Sequence, residues 1–252
     1  MRWIGHSGLA AGRPGGTPTR QTLAEAARLH LDWLEVDVCR TSEGILVLRH
    51  DLLLPSRRAL RTVTLADARR EDPDLLTLEE GAEVIREGGV PAMVDLKDAR
   101  DAELVVAWLA AQPDPDRWAI CTDDVIALQG ARAKAGRVAR WRTLPQVPPG
   151  RGESARRILA CVLRSTLPAR VPALAAEVDA AALSVDRWAL TPRLCAAAHA
   201  LGLPVAAWTL NNPAGVPALQ AAGVDFVTTD RPAAMRPQPE SQDSAATARC
   251  DG

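Results

Sequence analysis

Charged side chains alternate with apolar ones along two separate apolar segments. In WLEVDV, Glu35 and Asp37 are two residues apart, and in PAMVDLK, Asp95 and Lys97 repeat that spacing. Because side chains alternate between the faces of a β-strand, each pair leaves its strand on one face. Carboxylates that converge raise one another's pKa values, and a hard divalent cation such as Mg²⁺ or Ca²⁺ relieves their repulsion. The pattern therefore favours a metal site of Glu35, Asp37 and Asp95 over salt bridges with Lys97 and nearby arginines.

Two of the four histidines lie at the ends of strand-like segments. His6 follows RWIG, and His50 ends ILVLRH, the segment that comes after the first acidic pair. Two imidazoles beside a cation and a lysine suit phosphoryl transfer, with one as general base and the other as general acid. Which histidine has which role stays open. His30 and His199 lie on helical patterns, and we interpret them as surface or packing residues.

The elements that must position these side chains alternate between strand-like and helical patterns. Helical spacing of apolar residues covers 21–31, 77–88, 101–112 and 191–202. Alternation of this kind predicts a parallel sheet covered by helices on both faces. A strand count near eight in 252 residues favours a closed (β/α)₈ TIM barrel in a single domain. The strand candidates are 2–5, 33–38, 45–50, 91–97, 118–122, 138–143, 181–185, 204–210 and 225–229.

Two stretches do not fit a regular barrel unit. WLEVDV and ILVLRH are separated only by CRTSEG, which is too short for a crossover helix. We therefore expect one of these two strands to be an antiparallel or extended partner. Residues 236–252 are polar, small and proline-bearing, so we expect a disordered tail after a barrel domain that spans residues 1–235.

The composition of the chain argues against several classes of protein. The 30 basic and 31 acidic residues leave no basic footprint for nucleic acid. Five dispersed cysteines without a CxxC pair argue against a disulfide framework and a structural zinc site. We see no secretory signal and no apolar run long enough to cross a bilayer, so we expect a cytoplasmic protein without a transmembrane segment. The oligomeric state stays open.

The order of short motifs along the chain resembles that of the glycerophosphodiester phosphodiesterase family, a metal-dependent branch of the (β/α)₈ barrels. Each motif is short, but the series runs from the first strand to the last in the family's order. The motifs are HSG (6–8), RQT (20–22), EVD (35–37), TSEG (41–44), HD (50–51), LTLEE (76–80), DLK (95–97), WTLN (208–211) and TDRP (229–232).

The resemblance implies roles for individual residues. One divalent cation, Mg²⁺ or Ca²⁺, would be bound by the carboxylates of Glu35, Asp37 and Asp95. His6 and His50 would be the acid and the base. Lys97 would contact the phosphate oxygens, and Trp208 would line the mouth where a small phosphodiester substrate binds.

Two positions depart from the family's pattern. Ser7 stands where the family has an arginine, and Arg20 stands where it has a glutamate. The missing arginine removes a planar group suited to phosphate oxygens, and the Ser7 side chain offers the substrate one short hydroxyl in its place. We hypothesise that Arg20 reaches into the space left at position 7 and holds the phosphate from the other side.

The reaction implied by the resemblance is hydrolysis of a glycerophosphodiester-like substrate to an alcohol and a phosphomonoester. One alternative is a lyase or transferase that forms a cyclic phosphate by internal attack of a hydroxyl. Asp95 before x-Lys is similar to the sphingomyelinase D-like phospholipases that react in this way. Another alternative is a catalytically impaired pseudoenzyme that binds phosphate esters, with the changes at Ser7 and Arg20 marking the loss of catalysis. The alcohol groups of the substrate stay open.

Overall fold

The computed structural model describes residues 1–148, 150 and 152–235, and the predicted tail over 236–252 lies outside these described residues. Within the described ranges, strands and helices alternate along the chain. The strands are β1 (Arg2–Gly5), β2 (Trp33–Arg40), β3 (Leu46–Leu48), β4 (Ala92–Leu96), β5 (Trp118–Thr122), β6 (Ala139–Thr143), β7 (Ala182–Asp186), β8 (Val205–Trp208) and β9 (Phe226–Thr229). The helices are α1 (Arg20–Arg28), α2 (Leu65–Glu71), α3 (Leu78–Gly88), α4 (Ala102–Ala110), α5 (Val125–Lys134), α6 (Glu153–Ala176), α7 (Pro192–His199), α8 (Val216–Ala221) and α9 (Pro232–Met235).

Eight of the strands in the described part of the chain form a closed parallel barrel. Around it they follow the order β1, β9, β8, β7, β6, β5, β4, β2, and pairing of Gly5 with Leu34 joins β1 to β2. The (β/α)₈ prediction is confirmed. Strand β3 runs antiparallel to β2, with Leu48 opposite Val38, because the short CRTSEG turn can form a hairpin but not a crossover.

Local sequence signals explain where several helices begin and end. Thr77 caps α3 through the N–H of Glu80, and the Glu80 side chain accepts from the N–H of Thr77 in return. Gly89 then ends α3 in the left-handed conformation, with φ of 73°. Helix α7 begins with a Thr191 cap and Pro192, as its sequence predicts.

Helix α6 is the longest described helix, and its sequence did not predict it. Two internal prolines, Pro168 and Pro172, and a broken apolar periodicity hide its 24 residues from pattern recognition. An 18-residue window of α6 has mean hydropathy 1.3 and is 22% buried. By length and composition alone α6 could cross a membrane, so the expectation that no such run exists is wrong on those criteria. In the structure α6 packs beside α7 in the helical layer.

Large side chains fill the barrel beneath its mouth. Trp141 contacts Trp33 edge to face at a centroid distance of 5.7 Å and Phe226 at 5.3 Å. Ile4 and Met93 complete much of this buried layer. The layer blocks the barrel interior and forms the floor on which the polar residues of the mouth rest.

Candidate active site

A cavity of about 460 Å³ opens at the carboxyl ends of the barrel strands. Its volume lies within the range of small-molecule sites. Most of the residues that the sequence singled out converge on it, although they come from segments up to two hundred residues apart. Its lining includes His6, Glu35, His50, Asp95, Lys97 and Trp208.

Three carboxylates form the cluster that the strand spacing predicts. Glu35 and Asp37 leave β2 on the same face, and the parallel register of β2 and β4 places Asp95 beside Asp37. One oxygen from each of the three lies within 4.8 Å of the others. Glu35 and Asp37 are 6% and 2% exposed, so their mutual repulsion is poorly screened by solvent.

Lys97 balances part of this negative charge. Its Nζ lies 2.6 Å from both Asp37 Oδ1 and Asp95 Oδ2. Burial alone would lower the pKa of Lys97, but the carboxylates of Asp95 and Asp37 raise it above its ordinary value, so the ammonium stays charged. Burial raises the pKa of Glu35 well above its usual range, and the neighbouring charge of Asp37 adds to this effect. The cluster therefore favours further positive charge.

The cluster fits a hard divalent cation. Neither carboxylate oxygen of Asp37 receives a well-aligned hydrogen bond from the described residues, although Lys97 is close to one of them. A carboxylate that is buried and under-bonded requires another positive partner. Three oxygen donors within reach of one point are the ligand type that Mg²⁺ and Ca²⁺ prefer. Glu35, Asp37 and Asp95 could thus hold such an ion.

The segment after His6 adopts an unusual backbone conformation. Ser7, Gly8 and Leu9 all have positive φ, at 48°, 60° and 59°. The turn directs the N–H of Ser7 to Glu35 Oε2, at 2.6 Å. Two of these three residues are not glycine, so the turn costs about 1 kcal/mol or more at each of them. Ser7 thus orients a carboxylate through its main chain, a role that the prediction of a phosphate-binding side chain did not anticipate.

His6 is held by a carboxylate from the opposite end of the chain. Its Nδ1 lies 2.6 Å from Asp230 Oδ1, and Asn211 donates from Nδ2 to the same carboxylate. Burial alone would lower the pKa of His6, but the bond to Asp230 and the negative charge of Glu35 raise it to about 9. Sequence reasoning gave neither Asp230 nor Asn211 a role. The TDRP and WTLN motifs contain these two residues, and their match to the family pattern could have indicated a role for both.

His50 is positioned by a buried arginine that sequence reasoning also missed. The Arg49 side chain, 2% exposed, forms an ion pair with Asp72 and donates from Nη2 to the carbonyl of Leu53. Gly15 lies directly against the Arg49 guanidinium, where a Cβ would overlap it, and has φ of 66°. A Cβ on Gly16 would come within 2.6 Å of His50 Cβ. Gly15 therefore lets the loop pack against Arg49, and Gly16 lets it pack against His50.

Arg20 lies away from the catalytic cavity. It is the first residue of α1, its side chain is 56% exposed, and its nearest acidic partner is Glu83 on α3, at 4.0 Å. It lines a second cavity beside Arg13 and Arg69. Because α1 lies outside the barrel, its first turn directs Arg20 toward α3 instead of position 7. This placement disagrees with the hypothesis that Arg20 takes the place of the missing arginine at the phosphate.

The rest of the mouth has a different chemistry. Strands β5, β6, β7 and β9 direct small side chains inward, and Trp208 at the end of β8 covers one side. Cys121 Sγ lies 3.3 Å from Thr143 Oγ1, and burial raises the pKa of this thiol to about 12, so it stays protonated. The small side chains that these four strands direct inward include Cys121, Thr143, Ser184 and Thr228.

Comparison with known proteins identifies the family. The model of the glycerophosphoryl diester phosphodiesterase family matches residues 95–234, which is more than half of the chain. The chain belongs to this family. Its members are phosphoric diester hydrolases and depend on a metal, so the protein is an enzyme of that class. Among curated proteins, none gives a match to this sequence.

Solved structures with the same fold come from several bacteria. A phosphodiesterase from Oleispira antarctica, in complex with the product sn-glycerol-3-phosphate, is 22% identical with a TM-score of 0.72, covering 93% of this chain and 95% of that one. A putative glycerophosphoryl diester phosphodiesterase from Agrobacterium tumefaciens is 21% identical with a TM-score of 0.74, over the same shares of the two chains. A glycerophosphodiester phosphodiesterase from Parabacteroides distasonis is 18% identical with a TM-score of 0.73, covering 93% and 94%. At these identities the similarity establishes the (β/α)₈ fold.

Proposed function

We propose that the protein hydrolyses a glycerophosphodiester to an alcohol and glycerol phosphate. The observation that carries this proposal is the convergence of three carboxylates, two histidines and a lysine on one cavity. A phosphodiester carries one negative charge and needs a general base, a general acid and positive charge on its free oxygens. The cavity contains each of these groups. The sn-glycerol-3-phosphate bound by the Oleispira protein supports glycerol phosphate as the product.

Glu35, Asp37 and Asp95 would hold one divalent cation, Mg²⁺ or Ca²⁺. Such an ion, when bound, polarises a phosphoryl oxygen and orients the ester. Lys97 already contacts two of the carboxylates, so its ammonium lies beside the ion site and can neutralise charge on a non-bridging oxygen. Mg²⁺ and Ca²⁺ share oxygen ligands, and we propose that either supports binding.

His6 acts as the general acid in this proposal. The hydrogen bond from its Nδ1 to Asp230 fixes the ring and favours the protonated imidazolium. Its other nitrogen, Nε2, can then donate a proton to the leaving alkoxide. The proton restores the alcohol and lets it depart neutral.

His50 acts as the general base. Its side chain is 48% exposed, and Nδ1 lies 3.0 Å from Asp51 Oδ1. An imidazole at the solvent side of the cavity can take a proton from an attacking water, and the neighbouring carboxylate stabilises the imidazolium that forms. The buried Arg49 donates from Nε to the carbonyl of Asp51 and so holds the main chain next to His50.

The small-residue half of the mouth would bind the alcohol groups of the substrate. Thr143, Ser184 and Thr228 offer hydroxyls that both donate and accept hydrogen bonds. Trp208 presents an apolar surface to the same space. The proposal assigns glycerol hydroxyls and the second alcohol to this half, away from the carboxylates.

Phosphorus NMR of purified protein with glycerophosphocholine and Mg²⁺ or Ca²⁺ tests the proposal. We expect the diester signal to be replaced by glycerol 3-phosphate, and we expect excess chelator to stop the conversion. A persistent cyclic phosphate signal would instead assign the chain to the cyclising alternative. Ion binding without any conversion across a panel of glycerophosphodiesters would contradict hydrolysis and favour a pseudoenzyme. An Arg20→Gln variant is the matched control, because Arg20 lies outside the cavity.

A further inference from the structure

Helix α6 presents an exposed face without any charge. Ile158 and Val162 are 65% and 51% exposed, which is unusual for large apolar side chains of a surface helix. Helical spacing places small uncharged residues on the same face along the whole helix. All of these residues are exposed. They are Ile158, Cys161, Val162, Ser165, Ala169, Pro172, Ala173 and Ala176, which we call the α6 stripe.

The hydroxyls near the α6 stripe are already bonded within the helix. Ser165 and Thr166 both donate to the main-chain carbonyl of Val162, at 2.9 Å and 2.8 Å. Their protons therefore need no acceptor from water. The stripe can enter an apolar environment without leaving these donors unsatisfied.

The charged side chains of α6 outside the stripe are mostly basic. Between Ser154 and Ala176, α6 contains four arginines and no acidic residue, and all four arginines are exposed. The acidic residues adjacent to this stretch, Glu153 and Glu177, lie at its two ends, and Glu153 forms an exposed ion pair with Arg157. Long arginine side chains beside an apolar surface can reach outward to anionic groups while their stems cover apolar area. The arginines are Arg156, Arg157, Arg164 and Arg170.

The large apolar side chains lie at the end of α6 nearer to the catalytic mouth. The segment before α6 carries Gln146, which lines the catalytic cavity. Trp188, which is 37% exposed in the loop after β7, contacts this part of α6: Arg156 lies over its ring at 5.3 Å, and Arg164 donates to its carbonyl at 2.8 Å. The apolar end of the stripe therefore lies at the same end of the barrel as the catalytic mouth.

We propose that the α6 stripe docks the enzyme on an anionic lipid bilayer, with its mouth-proximal end inserted among the headgroups. A basic helix with an uncharged apolar face is the kind of element that lies in the plane of a membrane surface. A second copy of the chain is a less suitable occupant. In a two-fold contact along α6, the net positive charge of the helix in one copy would face that of the other, because its four arginines outnumber the two acidic residues at its ends. The proposal concerns where the enzyme works and does not depend on its substrate.

Co-sedimentation of the full-length protein with vesicles tests this proposal. We expect binding to vesicles of phosphatidylcholine and phosphatidylglycerol in a 7:3 ratio, and binding roughly tenfold weaker or less to pure phosphatidylcholine. I158D/V162D should abolish binding, and I158Q/V162Q should weaken it without adding charge. R157Q/R170Q should reduce binding to the anionic vesicles and its dependence on salt. Ile126→Asp is the matched control, because Ile126 is 78% exposed on a different helix, α5, and should change nothing.

Three outcomes would overturn the proposal. The first is no sedimentation with anionic vesicles, and the second is equal sedimentation of I158D/V162D and I158Q/V162Q with the unmodified protein. The third is a dimer by light scattering that I158Q/V162Q dissociates without any vesicle binding, which would assign the stripe to a second copy. Circular dichroism confirms that each variant is folded, and since both side chains are exposed, we expect their melting curves to match that of the parent.

Discussion

The two halves of the barrel mouth are built in different ways. The half formed by β1, β2 and β4 holds His6, the three carboxylates and Lys97. The half formed by β5 to β9 presents mainly small polar side chains and one tryptophan, together with Asp123 and Gln146 from the loops after β5 and β6. Both halves rest on the same aromatic floor, and their strands belong to one continuous barrel. The two halves differ in the charge of the side chains that they place at the mouth.

The proposed reacting groups of the first half are held by contacts between charged groups, whereas the small side chains of the second half contact neutral neighbours. Around the carboxylates, Ser7 adopts a strained backbone, Lys97 contacts two acids, and the carboxylate of Asp230 fixes His6. In the other half, Cys121 Sγ lies 3.3 Å from Thr143 Oγ1, a hydrogen bond between two neutral groups. Groups that react must be pre-oriented and groups that recognise an alcohol can adjust, so we expect unequal effects of mutation in the two halves.

Loss of a histidine should have the largest effect. His6→Ala removes the proposed general acid and should lower kcat by roughly a thousandfold, since acid catalysis contributes 10² to 10⁴. Thr143→Ala, on the opposite side of the same cavity, is the paired variant and should retain kcat within about threefold. Steady-state kinetics on glycerophosphocholine measures both. Equal losses in the two variants would remove the distinction between the halves.

The second largest effect should come from breaking the buried ion pair of Arg49 and Asp72 next to His50. Arg49→Met leaves Asp72 without its partner and should lower the free energy of unfolding by about 3 kcal/mol, because a buried charge is left uncompensated. We also expect activity to fall by more than the unfolded fraction accounts for, because the main chain next to His50 loses its hydrogen bond from Arg49. Arg157→Met breaks an exposed pair with Glu153 and should cost less than about 0.5 kcal/mol. Chemical denaturation measures both, and similar costs would contradict the role of Arg49.

A smaller change is expected in the pH profile. Activity needs protonated His6, so the rate should fall as pH rises through the pKa of that group. Asp230→Asn removes the carboxylate that raises this pKa, and the falling limb should move to lower pH by about one unit. The pH dependence of kcat measures this shift. If Asp230 had only a structural role, kcat would fall but the pH at which the rate declines would stay the same.

The smallest effect on activity should come from a mutation in the half formed by β5 to β9. Ser184→Ala removes one hydroxyl from the proposed alcohol site, and we expect KM to rise by about fivefold with kcat nearly unchanged, the cost of one hydrogen bond. Kinetics with glycerophosphocholine and glycerophosphoethanolamine would show whether the effect depends on the alcohol. A loss of kcat as large as that of His6→Ala would place catalytic chemistry in this half.

The sequence predicted the barrel and its acidic cluster because both depend on short-range patterns. Alternation along WLEVDV and PAMVDLK fixes which side chains share a face, and parallel pairing then places Asp95 beside Asp37. The contact between His6 and Asp230 spans 224 residues, and only closure of β1 against β9 creates it. Arg20 was misplaced because spacing gives no direction for the first residue of an outer helix. Prolines concealed α6, because a proline inside a helical pattern predicts the end of the helix, and α6 continues through Pro168 and Pro172.

The central claim is that the acidic half of the mouth binds one divalent cation between the two histidines. Isothermal titration of Mg²⁺ and of Ca²⁺ into metal-free protein tests it most directly, with Glu35→Gln and Thr143→Ala titrated in parallel. We expect one ion to bind per chain in the parent and in Thr143→Ala, and we expect no binding in Glu35→Gln. Binding that survives in Glu35→Gln, or its absence from the parent protein for both ions, would contradict this claim.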